Sequence, residues 1–496
     1  MTAEITYLNF INGVWKKGSG TRSVENVNPA NRKVLGMIYE SSKADVDVAV
    51  QAAVQAQKTW RLVPAPARGE FLFRIGELLR KNKERLAQLL TSEMGKVIAE
   101  ARGEVQEAID MAYFMGGEGR RLVGQTVPSE LPNKQAMSFR APVGVAGLIT
   151  PWNFPIAIAS WKIFPALVSG NSVVWKPATD TPALAYEFVK LIEEAGVPKG
   201  VINLVFGSGS TVGTALVEHP DVNIVSFTGS TEVGRAISSK AGEQFKKVSL
   251  EMGGKNAIIV MDDADLDLAV DGIIWSAFGT AGQRCTACSR LIVHEPIKED
   301  LENRLLSRIS ELKMGDGLDE TVQIGPVINE PALKSIHEYV RIGQEEGANL
   351  LCGGQILKSG DCQNGFFYAP TLFTNVNREM RVAREEIFGP VLSIISVTSL
   401  EEAIEVNNEV NYGLSSSIFT NDTNRTFIAM RDLDTGIVYI NAGTIGAEIH
   451  LPFGGTKHTG NGHRDSGVVA LDVFTEWKSV YVDYSQKLQR AQIDNN

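Results

Sequence analysis

The sequence predicts an α/β protein built on a parallel sheet with helices on both faces, followed by a second α/β unit. Three observations predict it. From residue 143 onward, short apolar runs alternate with stretches of helical periodicity, the pattern of strands buried on both faces. Several of those runs end in polar or Gly-containing segments, which is where open α/β sheets bind ligands. A chain of 496 residues also exceeds what one core organises, so two or three domains are expected.

In chain order, residues 7–40 read as short strands and turns. Residues 45–124 read as helical, because Phe71, Ile75, Leu78, Leu79, Leu86 and Leu89 recur at helical spacing with Arg and Lys between them; Pro64 and Pro66 mark a break before this stretch. Residues 125–140 are polar, carry Pro128 and Pro132, and read as a hairpin projecting from the body. Then come five apolar runs, at 143–150, 172–175, 201–205, 223–227 and 256–260, with helical stretches such as 182–194 and 232–241 between them. The runs end in Thr150-Pro151-Trp152-Asn153, Lys176-Pro177-Ala178-Thr179, Gly207-Ser208-Gly209 and Thr228-Gly229-Ser230, the layout of a dinucleotide-binding domain. A second strand–helix series runs from about 291 to 441, and residues 477–484 read as one more strand. No internal repeat or low-complexity tract interrupts this.

Composition excludes several classes. With 44% hydrophobic and 21% charged residues the chain is that of a soluble globular protein, and no apolar run reaches the roughly 20 residues of a membrane helix. The first residues lack the basic and apolar regions of a signal peptide, so a cytoplasmic protein is expected. A net charge of −10 and a pI near 5.3 argue against nucleic acid as a partner. Four cysteines, Cys285, Cys288, Cys352 and Cys362, are too sparse for a disulfide framework.

Five motifs carry chemistry. Gly279-Thr280-Ala281-Gly282-Gln283-Arg284-Cys285 surrounds a cysteine with small residues, and Arg284 beside it favours the reactive thiolate; alone, the heptad suits a buried structural cysteine equally well. Cys285 and Cys288 form a C-x-x-C, but no second cysteine pair or close histidine pair completes a zinc site, so no metal is expected. In Glu251-Met252-Gly253-Gly254-Lys255, a carboxylate in a Gly-lined bend suits a general base whose pKa is raised by burial, or else a Glu paired with a lysine. Asn153, between Trp152 and Phe154, has an amide able to donate to an oxyanion, or is simply a turn residue. Thr228-Gly229-Ser230 leads into a helix whose free N–H groups suit a pyrophosphate, whereas Gly207 to Gly213 is one residue too long for the strict G-x-G-x-x-G fingerprint. Glu385-Glu386-Ile387-Phe388-Gly389-Pro390 offers a carboxylate for ribose hydroxyls and a ring beside it, or a solvated acid before a buried strand.

Each motif is ambiguous alone. In this order, together with Lys176-Pro177-Ala178 and Pro452-Phe453-Gly454-Gly455, they closely resemble the aldehyde dehydrogenase superfamily over about residues 9–484. The resemblance implies a three-domain fold: a Rossmann-type cofactor domain from residues 1–124 and 144–254, a catalytic domain from 255–467, and an oligomerisation arm from 125–143 and 468–487, in homodimers or homotetramers. It implies NAD or NADP as cofactor, held by Ile149, Thr150, Pro151, Trp152, Lys176, Thr179, Gly209, Gly229, Ser230, Met252, Gly253, Glu386 and Phe388. It implies that Cys285 attacks an aldehyde, that Asn153 and the Cys285 N–H stabilise the oxyanion, and that Glu251 activates the water that releases a carboxylic acid; relatives that pass the acyl group to coenzyme A lack this Glu. Thr179 departs from the pattern. Many NAD-preferring relatives have Glu there, and its absence removes a repulsion against the 2′-phosphate of NADP. Arg284, with Phe154, Trp161, Gly446, Ala447 and Phe453, is expected to bind substrate and points to a carboxylated semialdehyde, although Glu448 in the same loop would oppose a carboxylate if it faced inward. The alternatives are a broad aliphatic or aromatic aldehyde dehydrogenase and a non-catalytic structural member of the fold.

Overall fold

The computed structural model describes residues 5–494. Two seven-stranded sheets dominate it. In the first, Val145–Ile149, Ser172–Lys176, Ile202–Leu204, Ile224–Thr228 and Lys247–Glu251 run parallel, and the N-terminal hairpin Asn9–Ile11 and Val14–Lys16 closes one side antiparallel. Numbered along the chain, the five parallel strands lie in the order third, second, first, fourth, fifth. The order therefore reverses between Val145–Ile149 and Ile224–Thr228, and a crevice opens there beyond the strand ends. Register sharpens this: Ile149 lies opposite Lys176 and Phe227, and Thr228 opposite Glu251, so the polar segments after these strands emerge along one edge.

The second sheet orders Asn349–Cys352, Thr371–Thr374, Val391–Val397, Cys288–His294, Asn256–Val260, Ser415–Phe419 and Ile437–Ile440, parallel except for the first strand. The apolar run at 256–260, which by its pattern alone follows on the series before it, belongs to this sheet, and the fifth parallel strand of the first sheet is Lys247–Glu251. That strand ends in Glu and begins in Lys, so its sequence does not read as an apolar run. The chain thus crosses from one sheet to the other through Met252-Gly253-Gly254-Lys255 alone.

Helices cover both sheets. Lys43–Trp60, Ala65–Lys81, Lys83–Met94 and Ile98–Glu118 fill the stretch of helical periodicity, with the break at Pro64. Pro182–Glu194 starts where Lys176–Thr181 ends, and its free N–H groups are satisfied from outside: the buried Glu93 carboxyl accepts from Ala183 and Leu184 at 2.6 and 3.0 Å. Thr231–Gly242 is capped by Ser230, whose Oγ accepts from the Val233 N–H at 3.4 Å. A third sheet pairs Thr475–Asp483 with Lys134–Pro142 over nine residues, with Gln125–Pro128 at its edge. Among the described residues no helix is long and apolar enough to cross a membrane.

Candidate active site

Three segments converge where the two sheets meet, with Gly254 and Gly282 against backbone carbonyls and Gly253 against the Glu386 carboxyl. A Cβ on Gly253 would lie 2.1 Å from Glu386 Oε2, one on Gly254 2.5 Å from the Cys285 carbonyl oxygen, and one on Gly282 2.2 Å from the Gly389 carbonyl oxygen. Glycine is required by the close approach itself. The Gly254 N–H donates to Glu386 Oε1 at 3.0 Å, and Asn256 Nδ2 donates to the carbonyls of Cys285 and Ala287 at 2.7 and 3.0 Å. Thr444 Oγ1 fastens the next carbonyl, that of Thr286, at 2.7 Å.

Cys285 follows a strained stretch, since Thr280 and Ala281 have φ of 52° and 53°, a region that disfavours residues with a Cβ. Glu100 holds it. Its carboxylate accepts from the Thr280 N–H at 2.9 and 3.1 Å, from Thr280 Oγ1 at 3.0 Å and from Arg284 Nη2 at 3.1 Å. Arg284 Nε also donates to Thr280 Oγ1 at 3.0 Å. The charge of Arg284 is thereby compensated, and the expectation that it favours the Cys285 thiolate needs correction. Burial pushes the thiol up to about 12, Glu386 and Glu251 push in the same direction, and only the N–H groups of Thr286 and Cys285 oppose them. Cys288, in the adjoining strand, is buried, and its thiol donates to the Arg290 carbonyl at 3.3 Å.

Two cavities are both lined by Cys285, Ile158, Thr228 and Met252. The first, about 110 Å3, is walled by Phe154, Trp161, Phe453, Gly446 and Ala447, and it also contains Arg284, Glu251, Asp465 and Glu107. Trp161 and Phe453 have ring centroids 4.8 Å apart. Glu448 does not line this cavity; its side chain is exposed, 3.4 Å from His450 Nε2. The second, about 260 Å3, is walled by Pro151, Trp152, Asn153, Gly229, Ser230, Gly253, Glu386 and Phe388. Trp152 and Phe388 meet edge to face at 5.5 Å. A third hollow, between Thr214–Glu218 and Thr231–Gly242, is lined by Ile149, Gly209, Gly213, Val217, Phe227, Val233 and Ile237. The second and third lie along the edge where the first sheet's strand order reverses.

Glu251 is buried with neither carboxylate oxygen hydrogen-bonded. Burial drives its pKa well above the carboxylate range; Asp465 adds to this, and Lys162 and Arg464 oppose it. Asp465 is itself held by Lys162 Nζ at 2.6 Å, and the same ammonium donates to Ser226 at 2.9 Å. Removing one partner from such a buried pair costs about 3–5 kcal/mol. Burial also raises Glu386, to about 7, against the Gly254 N–H and Lys255. Asn153 Nδ2 donates to the Gln283 carbonyl at 3.1 Å, two residues before Cys285, and the Asn153 carbonyl accepts from Lys96 Nζ at 2.8 Å. Thr150 Oγ1 accepts from Trp175 Nε1 at 2.9 Å, so its side chain is engaged in the core.

Lys176 and Thr179 line none of the three cavities. Lys176 lies under Gly213, with Cδ 3.8 Å from where a Cβ would sit, and its Nζ donates to the Pro177 carbonyl at 2.9 Å. Burial lowers it to about 8, while Asp180 and Glu40 pull it up. Sequence reasoning missed Glu40, Glu100, Glu107, Lys162 and Asp465. For the acids on helix Ile98–Glu118, the spacing of Glu100, Glu104 and Glu107 was the available signal, since it puts them on one face. Nothing in the sequence marks the Lys162–Asp465 pair, whose members lie 303 residues apart.

The chain matches the family model described as the aldehyde dehydrogenase family over residues 15–480. It is 44% identical to the alpha-ketoglutaric semialdehyde dehydrogenase of Bacillus subtilis, over 97% of this chain and 99% of that one. It is 39% identical to the malonate-semialdehyde dehydrogenase of the same organism, with the same coverage. Among solved structures, the betaine aldehyde dehydrogenase of Staphylococcus aureus in complex with NAD+ superposes with a TM-score of 0.95 at 34% identity, covering 97% of this chain and 96% of that one.

The high thiol pKa gives a direct test. A thiol with a pKa near 12 holds little thiolate at neutral pH. Alkylation of Cys285 by iodoacetamide in the cofactor-free protein, followed by peptide mass spectrometry, should therefore accelerate about tenfold per pH unit from about pH 7 to about pH 10. A rate that levels off below about pH 9 would instead reveal an acidic thiol.

Proposed function

The chain belongs to the aldehyde dehydrogenase family, and on that premise we propose that it oxidises a carboxylated semialdehyde to the corresponding dicarboxylate, with NAD or NADP, through a thioester on Cys285. One observation carries the reading: two cavities meet at Cys285, with the unpartnered Glu251 carboxyl in one and Glu386 in the other. The cofactor fits the second cavity and the adjoining hollow. Thr228 Oγ1 is buried without a partner beside the N-terminus of Thr231–Gly242, which suits a pyrophosphate. Glu386 would bond the nicotinamide ribose, and the hollow around Gly209 and Ile149 would take the adenosine. Bound NAD(P) supplies the hydride acceptor.

Everything else falls to the chain. The Cys285 thiol releases its proton to solvent, and the sulfur then bonds to the aldehyde carbon as the C=O π bond breaks and its electron pair moves to oxygen. The oxygen, now anionic, meets the Asn153 amide and the Cys285 N–H. Collapse of this adduct with loss of hydride leaves an acyl group on sulfur. Glu251 takes a proton from water as that water attacks the thioester carbonyl, and the departing sulfur is reprotonated. Burial, with Asp465, raises the Glu251 pKa, which makes its carboxylate a stronger base towards that water.

Substrate class rests on Arg284 and on the relatives. Two donors of Arg284 are engaged by Thr280 and Glu100; Nη1 has no partner among the described residues, and the side chain lines the first cavity. A substrate carboxylate would complete it. The aromatic walls favour a second reading, a neutral aliphatic or aromatic aldehyde. The third sheet exposes Val127, Phe139, Trp477 and Tyr481, and Tyr484 just after its last strand is exposed as well, which supports an oligomerisation arm and a homodimer or homotetramer. The absence of Glu at Thr179 supports use of NADP, and Glu40 beside Lys176 supports retention of NAD.

Three measurements test these points. Glu251→Gln should lower kcat by about 10²–10⁴ while still releasing one NAD(P)H per site in a rapid first turnover; loss of that burst would remove the hydrolytic role. In Arg284→Ala, kcat/KM should fall at least about tenfold more for succinic semialdehyde than for butanal; equal falls would favour the neutral-aldehyde reading. A kcat/KM for NADP more than about 1000-fold below that for NAD would exclude dual use of the cofactors.

A further inference from the structure

Helix Ile98–Glu118 presents three carboxyls on one face towards the site, and two of them are fully engaged. Glu100 holds Thr280 and Arg284. Glu104 pairs with the buried Lys96 and accepts from the N–H groups of Ile156 and Ala157 at 3.0 and 3.3 Å, capping helix Ala157–Val168. The third, Glu107, makes no hydrogen bond or ion pair with any described residue, and it lines the first cavity beside Arg284, Phe154 and Cys285. A carboxyl inside an aromatic-walled cavity without a partner is costly unless something that enters the cavity bonds to it.

We propose that Glu107 is a specificity-determining residue that hydrogen-bonds a carbonyl oxygen next to the distal carboxylate, so that the enzyme selects the semialdehyde of a 2-oxo dicarboxylic acid over the analogue without the oxo group. The proposal rests on the carboxylated-semialdehyde reading above and names the substrate within it. In a 2-oxo acid the carbonyl and the carboxylate are adjacent, matching Glu107 and Arg284 in one cavity. Burial and Glu104 push the Glu107 carboxyl up to about 8, with Asp110 adding to this and Lys96 and Arg284 opposing. Near neutral pH it therefore carries the O–H that a ketone oxygen needs as donor. Glu251 and Asp465 line the same cavity, but each belongs to the Glu251 end beside Cys285.

The test compares 2,5-dioxopentanoate with 5-oxopentanoate, which differ only in the oxo group. A site built around a hydrogen bond rejects the analogue lacking it, so wild-type kcat/KM should favour the dioxo substrate by about tenfold or more, chiefly through KM. Glu107→Leu should bring the ratio to within about twofold of unity, whereas Glu107→Gln, whose amide donates at every pH, should keep most of it. The wild-type ratio should also decline above about pH 8 as Glu107 ionises, and the Gln variant's ratio should not. An undiminished ratio in Glu107→Leu overturns the proposal, as does a ratio lost equally in Leu and Gln. If the wild type oxidises neither acid better than pentanal, the Arg284 reading fails and this proposal with it; if both acids outperform pentanal but the Leu variant keeps the ratio, only the role of Glu107 fails.

Discussion

The site depends on one steric constraint: at Gly253 and Gly254 the chain leaves one sheet for the other through a gap that admits no side chain. Glu386 lies against the first glycine and the Cys285 carbonyl against the second. A carboxylate suited to a ribose, a cysteine suited to an aldehyde and the Glu251 carboxyl are thus gathered within a few residues of a single crossing. The glycines are there for proximity, since neither has the positive φ that would call for glycine on conformational grounds.

Electrostatics follow from the same closeness. Glu251, Glu386 and Cys285 are each shifted towards the protonated form, and burial is the first cause in every case. Three fixed cations nearby are committed elsewhere, Arg284 to Glu100, Lys162 to Asp465 and Lys96 to Glu104, whereas Lys255 Nζ is buried without a hydrogen-bond partner and opposes the shift of Glu386. The resting site is therefore a chamber whose burial favours the neutral forms of these three groups. Beside Cys285, Glu251 has neither carboxyl oxygen hydrogen-bonded, so it has no bond to break before it meets an incoming water.

Helix Ile98–Glu118 acts as a beam under this chamber. Through Glu100 it restrains the left-handed Thr280–Ala281 stretch, and through Glu104 it seats the N-terminus of Ala157–Val168, the helix that carries Trp161 and Lys162. Strain before a nucleophile persists only where the surroundings over-determine it, and here the Glu100 carboxylate does so, bonding both the N–H and the hydroxyl of Thr280. In this fold the walls of the cavity and the support of the nucleophile are the same element.

The sequence determined the local chemistry. Apolar runs of four to eight residues announced the parallel strands, the helical spacing of Phe71 to Leu89 announced the long helices, and the order of motifs around Asn153, Glu251, Cys285 and Glu386 announced the family, because each depends on residues close together along the chain. Contacts between distant segments were decided by tertiary structure alone. Lys247–Glu251 proved to be a strand because its neighbour, Ile224–Thr228, offers it a ladder. The run at 256–260 went to the second sheet because two glycines let the chain turn there. Arg284, which reads as an activator of the adjacent thiol, is instead neutralised by Glu100, 184 residues away. Sequence specifies which groups are present and their immediate spacing; only packing decides which charges cancel, which carboxyl is left unpaired, and which cavity it faces.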